Sequence, residues 1–217
     1  NNFVVTLQPF NYQLLMKVFK KIVDIIYPRR CPVCEEIVNE KGHLICKACI
    51  KKLPFVKDPY CIKCGKEIIS EDCAYCDECK SDREFEAGRG LCNYTDEMKH
   101  IVLKIKYDNK REYIEGFAKL MAIRYEKFIK ASNIDCIIPV PLHSSRKRMR
   151  GFNQSDILAK YLSKYLDLPV FLDCLCRVKK TKDQKGLNRT ERLHNLDNAF
   201  MVRDLPPNIK NILIIYK

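Results

Sequence analysis

The stretch Ile137-Ile-Pro-Val-Pro-Leu-His-Ser-Ser-Arg-Lys-Arg-Met-Arg-Gly-Phe-Asn-Gln-Ser155 decides how this chain folds. It opens within a short apolar run, Cys136 to Val140, that reads as a buried strand. Pro139 and Pro141 end that strand, because neither can donate a ladder hydrogen bond. Four cations follow within five positions: Arg146, Lys147, Arg148 and Arg150. Gly151 releases the backbone, and Asn153 to Ser155 lead into Ile157, Leu158, Tyr161, Leu162 and Tyr165, spaced as one helix face. A strand, a cationic loop and the start of a helix make an anion site at the carboxyl end of a strand, where open α/β sheets bind ligands. The competing reading is a solvated basic turn.

The flanking chain supports the α/β reading. Upstream, Phe85 to Tyr94 reads as a strand pair or extended lead-in, and Asp96 starts a helix with Met98, Ile101, Val102 and Ile105 on its face. A second helix, Glu112 to Ala131, carries Phe117, Leu120, Met121, Ile123, Tyr125 and Phe128. Downstream come a strand from Val170 to Val178, a basic polar run from Lys179 to Gly186, and a last strand from Ile209 to Ile215 behind Pro206-Pro207. Strands alternating with helices predict a mainly parallel sheet.

The cysteines define a separate module. Nine of 13 lie between Cys31 and Cys79, and C-x-x-C pairs stand at 31/34, 46/49, 61/64 and 76/79 with eleven residues between successive pairs. Even spacing means a repeated unit. Two C-x-x-C knuckles close a tetrahedral thiolate shell around Zn²⁺, so Cys31, Cys34, Cys46, Cys49, Cys61, Cys64, Cys76 and Cys79 are expected to hold two structural zinc ions. Four thiolates leave no open coordination position for a substrate. Gly42 and Gly65 fall where such knuckles need a turn, Cys73 reads as a free thiol, and His43 reads as a surface residue. Sequential and cross-braced pairing of the knuckles both fit the spacing. A disulfide framework would need an oxidising compartment, and no secretory signal accompanies these cysteines, so a reducing cytoplasm is expected.

Composition narrows the partners. With 217 residues the chain can hold one ordinary domain and a small satellite. Its 40 Lys and Arg against 27 Asp and Glu give a net charge of +13, which favours phosphate-bearing small molecules, single-stranded nucleic acid or acidic surfaces. The N-terminal apolar stretch is broken by Lys17, Lys20, Lys21 and Asp24 before it could span a bilayer, so no membrane span is expected. Val18, Phe19, Ile22, Val23, Ile25 and Ile26 instead recur at helical spacing up to Pro28. The organisation read from these features is an upstream or non-native extension over residues 1–15, with Met16 as the native start, and an amphipathic helix over 16–29. A double zinc module over 30–80 and the α/β domain over 81–217 follow.

Pro-Val-Pro-Leu-His at 139–143, then Arg146, then Arg-Gly-Phe-Asn-Gln at 150–154, resembles the signature of the ComF family. These are bacterial competence-type proteins with a double zinc ribbon and a type I phosphoribosyltransferase fold. The similarity runs from Met16 to Ile215 and implies sequential zinc pairing. It also implies that Leu142 and His143 (through their amides), Arg146, Lys147, Arg148 and Arg150 form a pyrophosphate-binding loop for phosphoribosyl pyrophosphate and its Mg²⁺. His143 could act as a base, but a loop-structuring role is preferred. Lys104 to Tyr107 matches the family's Lys-Tyr element and makes Lys106 an accessory cation. Thr181, Gln184, Leu187, Arg189, Arg192, Asn195 and Phe200 fit a further family pattern. The related flexible loop closes over substrate, so Lys179, Lys180, Lys182, Arg189 and Arg192 become lid or accessory cations. Family membership also implies a link to DNA uptake and the competence machinery, with single-stranded DNA as the alternative ligand on a basic, aromatic-bearing surface.

In the family, the strand matching Asn211 to Ile215 runs into two acidic residues and a Thr- and Gly-rich turn that hold the ribose hydroxyls and the 5′-phosphate. Here Tyr216 and Lys217 follow. The resemblance therefore implies that the chain as written, like the product of an interrupted frame, lacks phosphoribosyl transfer and folds incompletely beyond its zinc module.

Overall fold

A computed structural model describes residues 23, 26–40, 42–70, 72–80, 84–181 and 186–216. The expected extension over 1–15 and most of the expected amphipathic helix lie outside the described residues. The elements are α1 (Lys47–Lys52), α2 (Asp96–Tyr107), α3 (Tyr113–Ala131), β1 (Cys136–Pro139), α4 (Ser144–Arg150), α5 (Gln154–Leu166), β2 (Leu175–Arg177), α6 (Arg189–Leu196), β3 (Phe200–Val202) and β4 (Ile212–Ile215).

Every residue of β1 is buried, and the strand pairs in parallel with β4, Cys136 opposite Ile212 and Pro139 opposite Ile215. On its other side Ile137 bridges in parallel to Val170. Side chains alternate across a strand. Ile137 accordingly packs with Ala118 and Ala122 of α3, Ala159 and Leu162 of α5 and Ile215 of β4. Cys136 and Ile138 face the opposite way, onto Cys174, Phe171, Leu175, Leu205 and Ile209. Alanines at the crossing of α3 and α5 let the two helices lie close over the strand. The α/β class with a parallel central sheet is therefore as expected.

Two expected strands differ from the apolar runs that suggested them. From Val170 to Val178 the chain touches β1 only at Val170, then crosses to an antiparallel pairing of β2 with β3, Leu175 opposite Val202. The run thus serves two sheets. Phe85 to Tyr94 forms no strand, and its one bridge joins Cys92 to Phe55.

The larger difference falls on the cationic stretch, which is helix α4 rather than loop. Its seven residues contain no Gly, Pro or β-branched side chain. His143 caps its start, with Nδ1 accepting from the Ser145 amide at 3.3 Å, and Gly151 ends it at φ 77°. α2 starts in the same manner, with Thr95 accepting from the Met98 amide and Asp96 and Glu97 in the first turn.

Candidate metal centres and anion site

Each zinc module begins with a knuckle in which the amide four residues beyond the first cysteine bonds back to it. Glu35 donates to the Cys31 carbonyl at 2.9 Å and Gly65 to the Cys61 carbonyl at 2.8 Å. Both turns need positive φ, 61° at Glu35 and 73° at Gly65. Gly65 has a second reason to be glycine, because a Cβ there would stand 2.6 Å from the Gly88 carbonyl. Gly42 also has positive φ, but it serves the loop ahead of the second pair rather than a knuckle.

The folded chain gathers Cys31, Cys34, Cys46 and Cys49 into one tetrad and Cys61, Cys64, Cys76 and Cys79 into another, the sulfurs of each within 4.8 Å of one another. Pairing is sequential, not cross-braced. Sulfurs bound about 2.3 Å from a tetrahedral Zn²⁺ stand about 3.8 Å apart. Cys34 and Cys46 are separated by 3.9 Å and Cys64 and Cys76 by 3.7 Å, so both tetrads fit the ion. Burial pushes the Cys61 thiol up, but hydrogen bonds from the Cys64 and Cys76 amides outweigh it and bring the group to about 6. The same opposition at Cys31, with the Cys34 and Cys46 amides, ends at about 7. Burial and then the neighbouring cysteines push Cys46 and Cys79 up to about 12. Metal binding must displace the protons that these raised thiols hold. Cys73 is exposed and outside both tetrads, and His43 is no ligand.

The first module is seated on the α/β domain. Cys31, Ile45, Cys49 and Leu53 share a cluster with Met98, Phe117 and Leu120. Arg29 pairs with Glu115 of α3 at 2.6 Å, and Lys104 of α2 pairs with Glu35 in the first knuckle. The second module meets α3 through Arg89, which donates to the Ile62 carbonyl at 2.9 Å and whose guanidinium lies 4.3 Å from the Phe128 ring centre.

The four motif cations do not act as one patch. On a helix, residues four apart share a face, and Arg146 and Arg150 are the pair that does. Their charges reach Lys106 at the end of α2, whose pKa is lowered by burial first, then by Arg150 and Arg146. Arg150 lies 5.3 Å from the Tyr107 ring centre, and its Nε–H is buried without an acceptor. Lys147 instead faces Asp156 at 3.9 Å, and Arg148 is exposed. Leu142 and His143 form the turn from β1 into α4. Lys179 reaches the Asp197 carbonyl at 3.4 Å, Lys180 and Arg192 are exposed, and Lys182 and the Arg189 side chain lie outside the described residues.

One cation in this neighbourhood escaped the sequence reading. Arg177, at the end of β2, lies 5.4 Å from the Phe200 ring centre and donates to the Thr181 hydroxyl, yet its Nε–H is buried without an acceptor. Burial, then the charge of Arg146, lowers its pKa. Only the adjacent Thr181 pattern pointed towards it.

Two cysteine tetrads joined to an α/β domain define a zinc-ribbon protein of the α/β class. A family model for the double zinc ribbon domain matches residues 22–80. Competence protein F of Haemophilus influenzae is 31% identical over 176 residues, 79% of this chain and 75% of that protein. Competence protein ComFC of Bacillus subtilis is 26% identical, covering 69% of this chain and 61% of its own length. DNA utilization protein YhgH of Escherichia coli strain K12 is 27% identical over 58% of this chain and 56% of its own length. The chain belongs to the ComF family. No solved structure matches it.

Proposed function

We propose that this chain binds a phosphate-bearing ligand, phosphoribosyl pyrophosphate or a compound like it, at the carboxyl end of β1, and that it serves the handling of incoming DNA. The observation that carries the ligand reading is the buried Arg150 Nε–H without an acceptor, in a group of cations that includes Lys106 and Arg146. Solvated basic turns do not bury donors, and a charged donor left unmet costs more than the roughly 1–3 kcal/mol of a neutral one. An anion supplies the acceptor. Mg²⁺ would arrive with the ligand, and the two zinc ions would hold the fold. The part in DNA handling rests on the printed names of the relatives, a competence protein and a DNA utilization protein.

A second reading draws on Tyr107. The residue is 63% exposed with the Arg150 guanidinium over its ring, a platform on which a base could stack next to phosphate-binding cations. Among the described residues no helix is long and apolar enough to cross a membrane.

Calorimetric titration of the zinc-loaded chain with phosphoribosyl pyrophosphate, with and without Mg²⁺, tests the first reading, and saturable binding is expected. Fluorescence anisotropy with single-stranded oligonucleotides across a salt series tests the second. Sequence-independent binding that weakens steeply with salt, without binding of the small ligand, would replace the first reading by the second.

A further inference from the structure

Tyr113, the first residue of α3, is 2% exposed, and its hydroxyl is buried without a hydrogen-bond partner among the described residues. A buried phenol normally finds a partner, because an unmet donor is costly. Its surroundings point to the acceptor. Arg29, two residues ahead of the first knuckle, brackets Tyr113 by donating to the Glu112 carbonyl at 3.3 Å and to the Glu115 carboxylate at 2.6 Å. On the far side of the same knuckle, Glu35 pairs with Lys104 of α2. Val33, between Cys31 and Cys34, packs together with Met98 and Phe117 both on the cluster of Tyr113 and on that of Cys31, Ile45 and Cys49. Phe117 stands one turn along α3 from Tyr113, on the same face of the helix. Electrostatics agree with this placement: burial first, then Glu112 and the Cys31 sulfur, raise the Tyr113 pKa against Arg30.

We infer that the Tyr113 hydroxyl donates to a zinc-bound thiolate of the Cys31–Cys34 knuckle, so that a side chain of the α/β domain helps to hold the first zinc ion. This rests on the first tetrad being a zinc site. A coordinating thiol is deprotonated outright, and an ionised acceptor makes the stronger hydrogen bond. Four thiolates around Zn²⁺ leave about two negative charges, which a donated O–H helps to disperse. Partners of this kind around metal ligands are worth about 10–100-fold in metal affinity. Among the described residues, the second tetrad's cluster takes in Ile68 and no residue of the α/β domain. The second zinc ion is therefore an internal control.

The test is competition between the zinc-loaded full chain and a chromogenic chelator. Tyr113→Phe keeps the packing and removes only the oxygen. In it, one zinc ion per chain should bind about tenfold more weakly or worse, and the other as in wild type. In a Cys64→Ser background, where the first tetrad alone is intact, the whole loss should remain. With Co²⁺ in place of Zn²⁺, the thiolate-to-metal charge-transfer band should move to longer wavelength in Tyr113→Phe, because a thiolate relieved of a hydrogen bond gives up electron density more readily. Ile101→Val loosens the same cluster, leaves the hydroxyl in place and should change neither readout. Unchanged zinc affinity and an unmoved cobalt band in Tyr113→Phe would overturn the inference, and a raised melting temperature beside them would show that the hydroxyl has no acceptor. An equal loss of zinc affinity in Ile101→Val would also overturn it, by making the effect one of packing. Wild type that holds fewer than two zinc ions would bring down the reading of the tetrads on which the inference rests.

Discussion

Gly116 on α3 tests whether the first zinc module is seated on the α/β domain. An added Cβ would stand 2.9 Å from Ile45 Cγ1, 3.1 Å from its Cδ1 and 3.4 Å from Leu44 Cβ. Ile45 is 2% exposed and held among Cys31, Cys49 and Leu53, so it has little room to move. Gly116→Ala therefore sets two effects against each other. Alanine in a helix interior gains about 0.8–1 kcal/mol over glycine. Overpacking a core costs about 1–3 kcal/mol. The net expectation is a loss of up to about 2 kcal/mol. In an Ile45→Ala background, itself worse by about 2–5 kcal/mol, the clash is gone and the same substitution should stabilise by about 1 kcal/mol. Urea unfolding of the four proteins, followed by far-UV circular dichroism with zinc content held equal, measures this reversal of sign. Stabilisation by Gly116→Ala in both backgrounds would show that the module does not rest on α3, and the reasoning would fail.

Elemental analysis should return two zinc ions per chain, and Cys34→Ser or Cys64→Ser should each remove one. The first loss should lower the unfolding midpoint of the helices more, because among the described residues the first tetrad's cluster, not the second's, packs on Phe117 and Leu120. A midpoint that responds equally to both would contradict that contact. Asp135 accepts from the Asn211 and Lys210 amides at 2.8 and 2.7 Å, and these bonds hold its carboxyl below the usual range. A depressed folded pKa gives stability that is present above the ordinary carboxylate range and lost as pH falls through the folded value. The melting-temperature gap between wild type and Asp135→Ala at neutral pH should therefore close below about pH 4, and a gap independent of pH would count against the assignment. Arg150→Gln should cost about tenfold or more in phosphate-ligand affinity by titration, against little for Lys147→Gln, whose ammonium already faces Asp156. Equal losses would mean that α4 acts through bulk charge.

How much could be read beforehand depends on how local the determining physics is. Zinc knuckles are set by four short spacings, so both tetrads were legible down to each ligand. Their pairing needed either the family resemblance or the fold. The buried strand Cys136–Pro139 and the helices on either side were legible because apolar periodicity reports burial directly. α4 was not, since a run of Arg and Lys has no apolar face to reveal its period, although the same residues are good helix formers. That omission has a functional consequence. As a loop, four cations would form one cloud of charge. As a helix, they are sorted by angle, with Arg146 and Arg150 directed together while Lys147 meets Asp156 and Arg148 meets water. Arg177 was beyond reach for a different reason. Its apolar surroundings, Leu175 and Cys176 before it and Val178 after it, read as one strand with Val170, and nothing in that run marks where the chain leaves β1 to build the hairpin. The change of sheet carries its guanidinium towards Arg146, and a charge placed by topology leaves no signature in the local sequence.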